Sequence, residues 1–488
     1  MGPGPSSHAP APRGPRLENA LLLVPPLRWP RRPDRRPPGA CHNLLNEPLA
    51  WDTNLSIRYR ADAVVTCDPA FSVHRPGVVE VERGRISWVG SAADAPPTSG
   101  PEHRLAGLLM PGLVNVHCHS PMTLFRGAAE DVPLAVFLRE LLWPRESRLE
   151  RDDVYWGMTL ACAELLRAGV TTTCEMYMQE EAILAAVLDA GTRCLLTPGV
   201  LEMPSWPRFP SWRRRLADVL AFRAEHAAAH ERVEVGVAAH SAYALPLEGV
   251  TAVARAAQEV GALFHIHVAE TRDEAQELER QHGKTVPALL ADQGCFDGRV
   301  LAAHCVWLSD ADLQLFAEHD VAVAHCPQSN AKLGAGIARL TDMLRLRLRV
   351  GLGTDGPASN NDLDLWEEMR LTPLLARLKT GEAQALPAPE AVRLATSGGA
   401  AALGRDDIGT LEPGRLADMV LVRLDDPAFV PLVEPRDVCS HLLWSASSRL
   451  ISDVWVAGQQ VVANGECLTV DRERAQREVQ LRAVRLAG

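Results

Sequence analysis

Apolar and polar positions follow two rhythms along this chain. After residue 56, "ADAVVTCDP" and "GVVEVERGRISWVG" alternate or run apolar and break at Gly and Pro, as β-strands do. A second strand-rich block returns near the end, in "GTLEPGRLADMVLVRLD" and "ISDVWVAGQQVVANGE". Between the two blocks, short apolar runs alternate with longer amphipathic segments. "LLMPGLVNVHCH", "VGVAAHSAY", "ALFHIHVAE", "RVLAAHC", "VAVAHCP" and "RVGLGTDG" predict strands. "DDVYWGMTLACAELLRAG", "EGVTAVARAAQEVG" and "SDADLQLFAEHD" predict the helices between them. Strand–helix units repeated over roughly 300 residues predict an α/β fold, a (β/α)8 TIM barrel with parallel strands. The flanking blocks then predict one small β-sandwich built from N- and C-terminal segments.

The stretch before residue 56 has neither rhythm. "GPGPSSHAPAPRGPR" and "RWPRRPDRRPP" are rich in Pro and Arg and cannot bury enough surface to offset their ordering entropy. The expected division is a disordered arm over 1–55, a sandwich over 56–110 plus 404–470, a barrel over 111–403 and a C-terminal helix over 471–488. The role of the arm, and whether it lies upstream of the natural start, stay open.

Composition narrows the function classes. Of 488 residues, 47% are hydrophobic, ample for a large core. Fifty basic against 61 acidic residues give a formal charge of −11, mild and spread out, which argues against a nucleic-acid partner. Eleven scattered cysteines without a CxxC pair point to buried thiols in a reducing compartment. No apolar run approaches the roughly 18 residues of a membrane helix. "ALLLVPPLRW", broken by Pro25 and Pro26, makes a poor secretory core. The expectation is a cytoplasmic protein with a small-molecule substrate and no membrane partner; homo-oligomerisation stays open.

In a barrel of this kind the chemistry sits at the carboxyl ends of the strands. His117, His119, His240, His265, His267, His304, His325 and Asp355 all fall there. Side chains i and i+2 of a strand share a face, so His117 and His119 can both point into the barrel while Cys118 points outward to the helices. With His267 and Asp355 closing later strands, three imidazoles and a carboxylate suit Zn2+ or Fe2+ with a position left for water.

"MPGLVNVHCH", "HVAET", "AAHC", "LGTDG" and "GTLEPGRLADMVLV" resemble the amidohydrolase superfamily, and within it the 5′-methylthioadenosine/S-adenosylhomocysteine deaminase branch. The resemblance covers about Ile57 to Gly465. It implies a distorted barrel with a sandwich, and His117, His119, His267 and Asp355 as ligands of one divalent metal ion. Two-metal relatives usually bridge their ions with a carboxylated lysine, but no lysine precedes Lys284. A bridge through Glu175 is the remaining alternative.

The implied reaction is hydrolytic deamination of an adenine-type nucleoside by metal-bound hydroxide. Glu270 is the implied proton shuttle, His304 steadies the tetrahedral centre, and Asp355 also orients the attacking oxygen. A glutamate at this place favours C–N over C–Cl hydrolysis, because ammonia needs a proton to leave and chloride does not. Glu146 matches a ribose-binding glutamate and His240 a residue near the ring and ribose; Phe137 replaces a common tryptophan. Pro198 stands where the branch places an arginine for the S-adenosylhomocysteine carboxylate. Arg208 or an arginine of "RRRL" would have to compensate. Without such a cation the preference moves toward 5′-methylthioadenosine, 5′-deoxyadenosine or adenosine. The rival readings are a triazine, guanine-like or pterin-like aminohydrolase or chlorohydrolase, and a non-catalytic binding relative. "HCPQSNAKLGAGIARL" resembles a loop near the active-site mouth; His325 within it is given no chemical step.

Overall fold

The structure is a computed structural model, and it describes residues 1–2, 56–202, 211–434 and 437–488. The chain divides into two units, Met1–Trp51 and Asp52–Gly488. Apart from its first two residues, the arm expected over 1–55 lies outside the described residues, and so does Arg208.

Eight strand positions form a parallel array in the second unit. They are β1 (Leu113–Cys118), β2 (Val170–Glu175), β3 (Arg193–Leu196 continued by Gly199–Val200) and β4 (Val233–Val235 continued by Val237–Ser241). β5 (Phe264–Val268), β6 (Val300–His304), β7 (Ala322–His325) and β8 (Val350–Leu352) complete it. Each pairs in parallel with the next. The ring closes just past β8, where the Asp355 amide donates to the carbonyl of His117 at 3.0 Å. Buried strands on both faces explain the near-continuous apolar runs of the sequence.

Helices Arg151–Arg167, Leu247–Glu259 and Asp310–Glu318 fall where the amphipathic periods place them. Ser309 starts the last one through a capping box, its Oγ accepting from the Asp312 amide while Asp312 accepts from the Ser309 amide. The final helix is Arg472–Ala487.

A second sheet draws its nine strands from both ends of the chain. Glu102–Pro111 pairs antiparallel with Met419–Val422, joining the early strands to the late ones. Ile57–Val65 lies beside Glu102–Pro111, and Ile451–Val456 beside Met419–Val422. Three strand spacings of about 4.8 Å would hold Tyr59 and Trp455 roughly 14 Å apart in a flat sheet. Their ring centroids are 5.3 Å apart, so the sheet curls until residues of one face meet.

Only Gly112 separates the strand Glu102–Pro111 from β1. A Cβ there would come within 2.3 Å of the Thr171 side chain, so the residue is kept small where sheet passes into barrel. The buried Arg193 of β3 grips Asp418 through two contacts of 3.0 Å, locking the barrel to the strand Met419–Val422.

Candidate active site

The histidines of β1 and β5 meet at the carboxyl end of the barrel. His117 Nε2 and His119 Nε2 stand 3.4 and 3.3 Å from Asp355 Oδ1, and His119 Nε2 is 3.3 Å from His267 Nε2. An ion with bonds of about 2.0–2.1 Å to four tetrahedral donors spaces them by about 3.4 Å. His117 Nε2 is buried and has no hydrogen-bond partner. Two imidazole nitrogens facing each other with bare lone pairs repel unless a cation lies between them. The four residues therefore fit one divalent ion of the zinc type, with His304 also within 4.8 Å of His117 and His267.

Three of the four are held from behind. His119 Nδ1 donates to the carbonyl of Met176, and His267 Nδ1 to that of His240 at 2.7 Å. Ser329 and Ser359 donate to Asp355 Oδ2 at 2.6 and 2.7 Å, leaving Oδ1 for the centre. Burial lowers the pKa of His117 to about 4 and that of His267 well below the usual value, so both rings are neutral, the form in which an imidazole can bind a metal. Burial pushes the Asp355 carboxyl upward, but the closeness of His117, His304 and His119 holds it well below the carboxylate range.

His304 and Asp355 sit at φ +69° and +58°, and Ala269 before Glu270 at +48°. Left-handed backbone at a non-glycine residue costs on the order of 1–3 kcal/mol. The bends re-aim side chains at three strand ends of one cavity.

Glu270 is buried with its carboxyl raised to about 8, first by burial and then by the charge of Asp355. His304 Nε2 lies 3.9 Å from Glu270 Oε2, and its Nδ1 is held by Asn330 Oδ1 at 3.0 Å. The cavity brings together His119, His267, Glu270, His304 and Asp355 with Glu146, His240 and Phe137. Much of the remaining wall is apolar, including Trp143, Met178 and Leu201.

Cys118 faces away from this cluster. Its Sγ donates to the Glu175 carboxylate at 3.2 Å, and burial together with that neighbour raises the thiol pKa well above its usual value. Glu175 also accepts from the Ser120 amide at 2.8 Å and does not line the cavity. The described residues of the wall include no Lys or Arg. From "RRRL", Arg213 pairs with Glu248 and Arg214 with Asp218 at the surface. Arg215 is clamped to Glu180, so none of the three replaces the arginine missing at Pro198.

The amidohydrolase family model matches residues 108–461. This chain belongs to the amidohydrolase family. It is 39% identical to a 5-methylthioadenosine/S-adenosylhomocysteine deaminase of Pelotomaculum thermopropionicum, over 89% of this chain and 99% of the relative. It is 36% identical to a 5′-deoxyadenosine deaminase of Methanothermobacter thermautotrophicus, over 85% and 96%. Its fold matches an adenosine deaminase from Xanthomonas campestris with bound zinc, at TM-score 0.84 and 33% identity over 88% of this chain and 98% of that one.

Several groups that complete this amidohydrolase site escaped the motif reading. "HCPQSNAKLGAGIARL", taken as a loop, opens with a short helix, Pro327–Lys332, started by Pro327. That turn delivers Ser329 to Asp355 and Asn330 to His304. Tyr177 donates to Glu146 Oε1 at 2.7 Å, two residues past β2. His265, expected at a strand end but given no role there, is buried behind His117. Its i+2 spacing to His267 repeats that of His117 and His119 and was the one available signal.

Proposed function

We propose that this amidohydrolase deaminates an adenine-type nucleoside with a small or uncharged 5′ group, releasing ammonia and the inosine-type product. The observation that carries this reading is the single cavity in which a buried Glu270 and the His/Asp cluster share their space with the Glu146–Tyr177 pair. His117, His119, His267 and Asp355 would hold one zinc ion, the metal bound to the similar adenosine deaminase. When bound, it supplies Lewis acidity that brings the pKa of a water toward ~7.

The chain's own groups handle the protons. Glu270 takes a proton from the attacking water and gives one to a ring nitrogen. It then carries the next to the amino group, which leaves as ammonia once the C–N bond breaks. Its high pKa matches that duty, since an acid/base group works best near the operating pH. His304 steadies the charge growing at the attacked carbon's new oxygen, and Asp355 Oδ1 orients that oxygen. Glu146, fixed at one oxygen by Tyr177, accepts from the ribose hydroxyls. His240 and Phe137 flank the base and the sugar. Among the described residues the wall carries no Lys or Arg, which favours 5′-methylthioadenosine, 5′-deoxyadenosine or adenosine over a substrate ending in an amino-acid carboxylate.

Four further readings belong with this one. The curled two-ended sheet forms a small β-sandwich, flanking a barrel over 111–403. No helix of the described residues is long and apolar enough to cross a membrane. The ten described cysteines are free thiols, which supports a cytoplasmic enzyme. One metal per chain follows from the missing lysine and from Glu175 pointing elsewhere.

The deciding experiment is an ultraviolet screen of purified, zinc-loaded protein against 6-aminopurine nucleosides, guanine, pterins and aminotriazines. Conversion of an adenine chromophore to a hypoxanthine one is expected. Turnover confined to the other heterocycles overturns the nucleoside reading.

A further inference from the structure

Three ligand histidines must each present a bare nitrogen to the ion, and the structure secures them in two ways. His119 and His267 rest their Nδ1 directly on backbone carbonyls, those of Met176 and His240. A carbonyl only accepts, so Nδ1 carries the hydrogen and Nε2 is free. His117 has no such carbonyl. Its Nδ1 lies 2.9 Å from Nε2 of His265, a ring that could donate or accept there.

The ambiguity is resolved one step further out. His265 Nδ1 lies 2.9 Å from Thr197 Oγ1, and the Thr197 hydroxyl donates to the backbone carbonyl of Glu175 at 3.0 Å. Cys174 Sγ, 3.6 Å from His265 Nδ1, is a weaker second contact. Since the Glu175 carbonyl cannot donate, the Thr197 hydrogen points to it and Oγ1 accepts from His265 Nδ1. His265 Nε2 is then an acceptor, which obliges His117 to carry its hydrogen on Nδ1. His117 Nε2, buried and unpartnered, is left with its lone pair toward Asp355 and the other ligands.

We propose that Thr197 and His265 are positioning residues that fix the tautomer of His117 and so set the affinity of the site for its cation. This rests on His117 being a metal ligand. The relay is fully buried, with Thr197 and His265 both at 0% exposure. Water therefore cannot replace a missing member cheaply. The row is ordered before any ion arrives, so part of the cost of organising the site is met by folding.

The test is a zinc dissociation constant, measured by chelator competition on protein stripped of metal and titrated with Zn2+, beside the melting temperature of each stripped variant. Thr197→Val keeps the shape and removes the hydroxyl; His265→Leu removes the acceptor; Thr197→Ser restores the hydroxyl. Loss of such an outer partner typically weakens metal binding by about 10–100-fold. That loss is expected for Thr197→Val and His265→Leu, with Thr197→Ser within about threefold of the parent. Parental zinc affinity in folded Thr197→Val and His265→Leu overturns the relay. His117→Ala separates the two levels: if it too keeps parental affinity, the ligand assignment has failed. Should His265→Leu not fold, nitrogen-15 shifts of the His117 ring in the stripped parent decide. Protonation at Nδ1 is expected there, and protonation at Nε2 overturns the proposal.

Discussion

Two buried polar clusters in this chain teach opposite lessons. Arg193 and Asp418 satisfy each other through two 3.0 Å contacts, and Asp418 also accepts from the Ala457 amide at 2.6 Å. Neither lines the cavity. At the other cluster, polar atoms converge without completing one another. His117 Nε2 has no partner, and no hydrogen bond among the described residues holds the Glu270 carboxylate. A saturated buried pair locks two elements together, whereas an unsaturated one is held open for something that binds.

Four changes would break or sharpen that contrast. The largest effect is expected from stripping zinc with a chelator: turnover should disappear and return with added zinc, measured by ultraviolet assay. Next comes Glu270→Gln, which should lower kcat by about 10²–10⁴ without lowering the melting temperature, since a buried acidic group is made neutral. Glu270 serving only as structure would instead show as a stability loss with kcat kept.

Asp418→Ala should do the reverse. Leaving Arg193 buried and alone is expected to cost about 3–5 kcal/mol in denaturant unfolding, with turnover per folded molecule unchanged. The smallest effect is expected from Cys118→Ser, whose metal content and kcat should match the parent. Loss of metal from that folded variant would make the cysteine a ligand after all.

Glu146 sits between the two classes and has its own pH signature. Burial raises its carboxyl from 4.5 to about 7, against the hydrogen bond from Tyr177. The folded protein holds that proton up to about pH 7, while the unfolded chain releases it near 4.5. The contribution is therefore full below pH 4.5 and lost as pH rises through 7. Glu146→Gln should raise KM for nucleosides. It should also stabilise the protein at pH 8 by on the order of 1–3 kcal/mol, with no gain at pH 4.5. An unchanged KM would remove Glu146 from the sugar site.

Much of this was legible before folding was considered. Period-two and period-3.6 patterns reveal strands and helices because burial on a face repeats with the backbone geometry. The spacing of His117 to His119 places two imidazoles on one side of a strand. The absence of lysine before Lys284 bears on metal count without any coordinates.

What remained hidden depends on distance through space. Thr197 supports His117 through His265, and Tyr177 orients Glu146 from 31 positions away, with no local pattern to mark either. Ser329 and Ser359 reach Asp355 from opposite sides in sequence, and only a helical turn at Pro327 brings the first of them in. The chain alone determined where the long strands and helices fall and which residue types are able to bind a metal, because both follow from residue type and period. Tertiary structure decided which hydrogen faces which acceptor, because buried polar groups must find partners wherever the strand ends bring them.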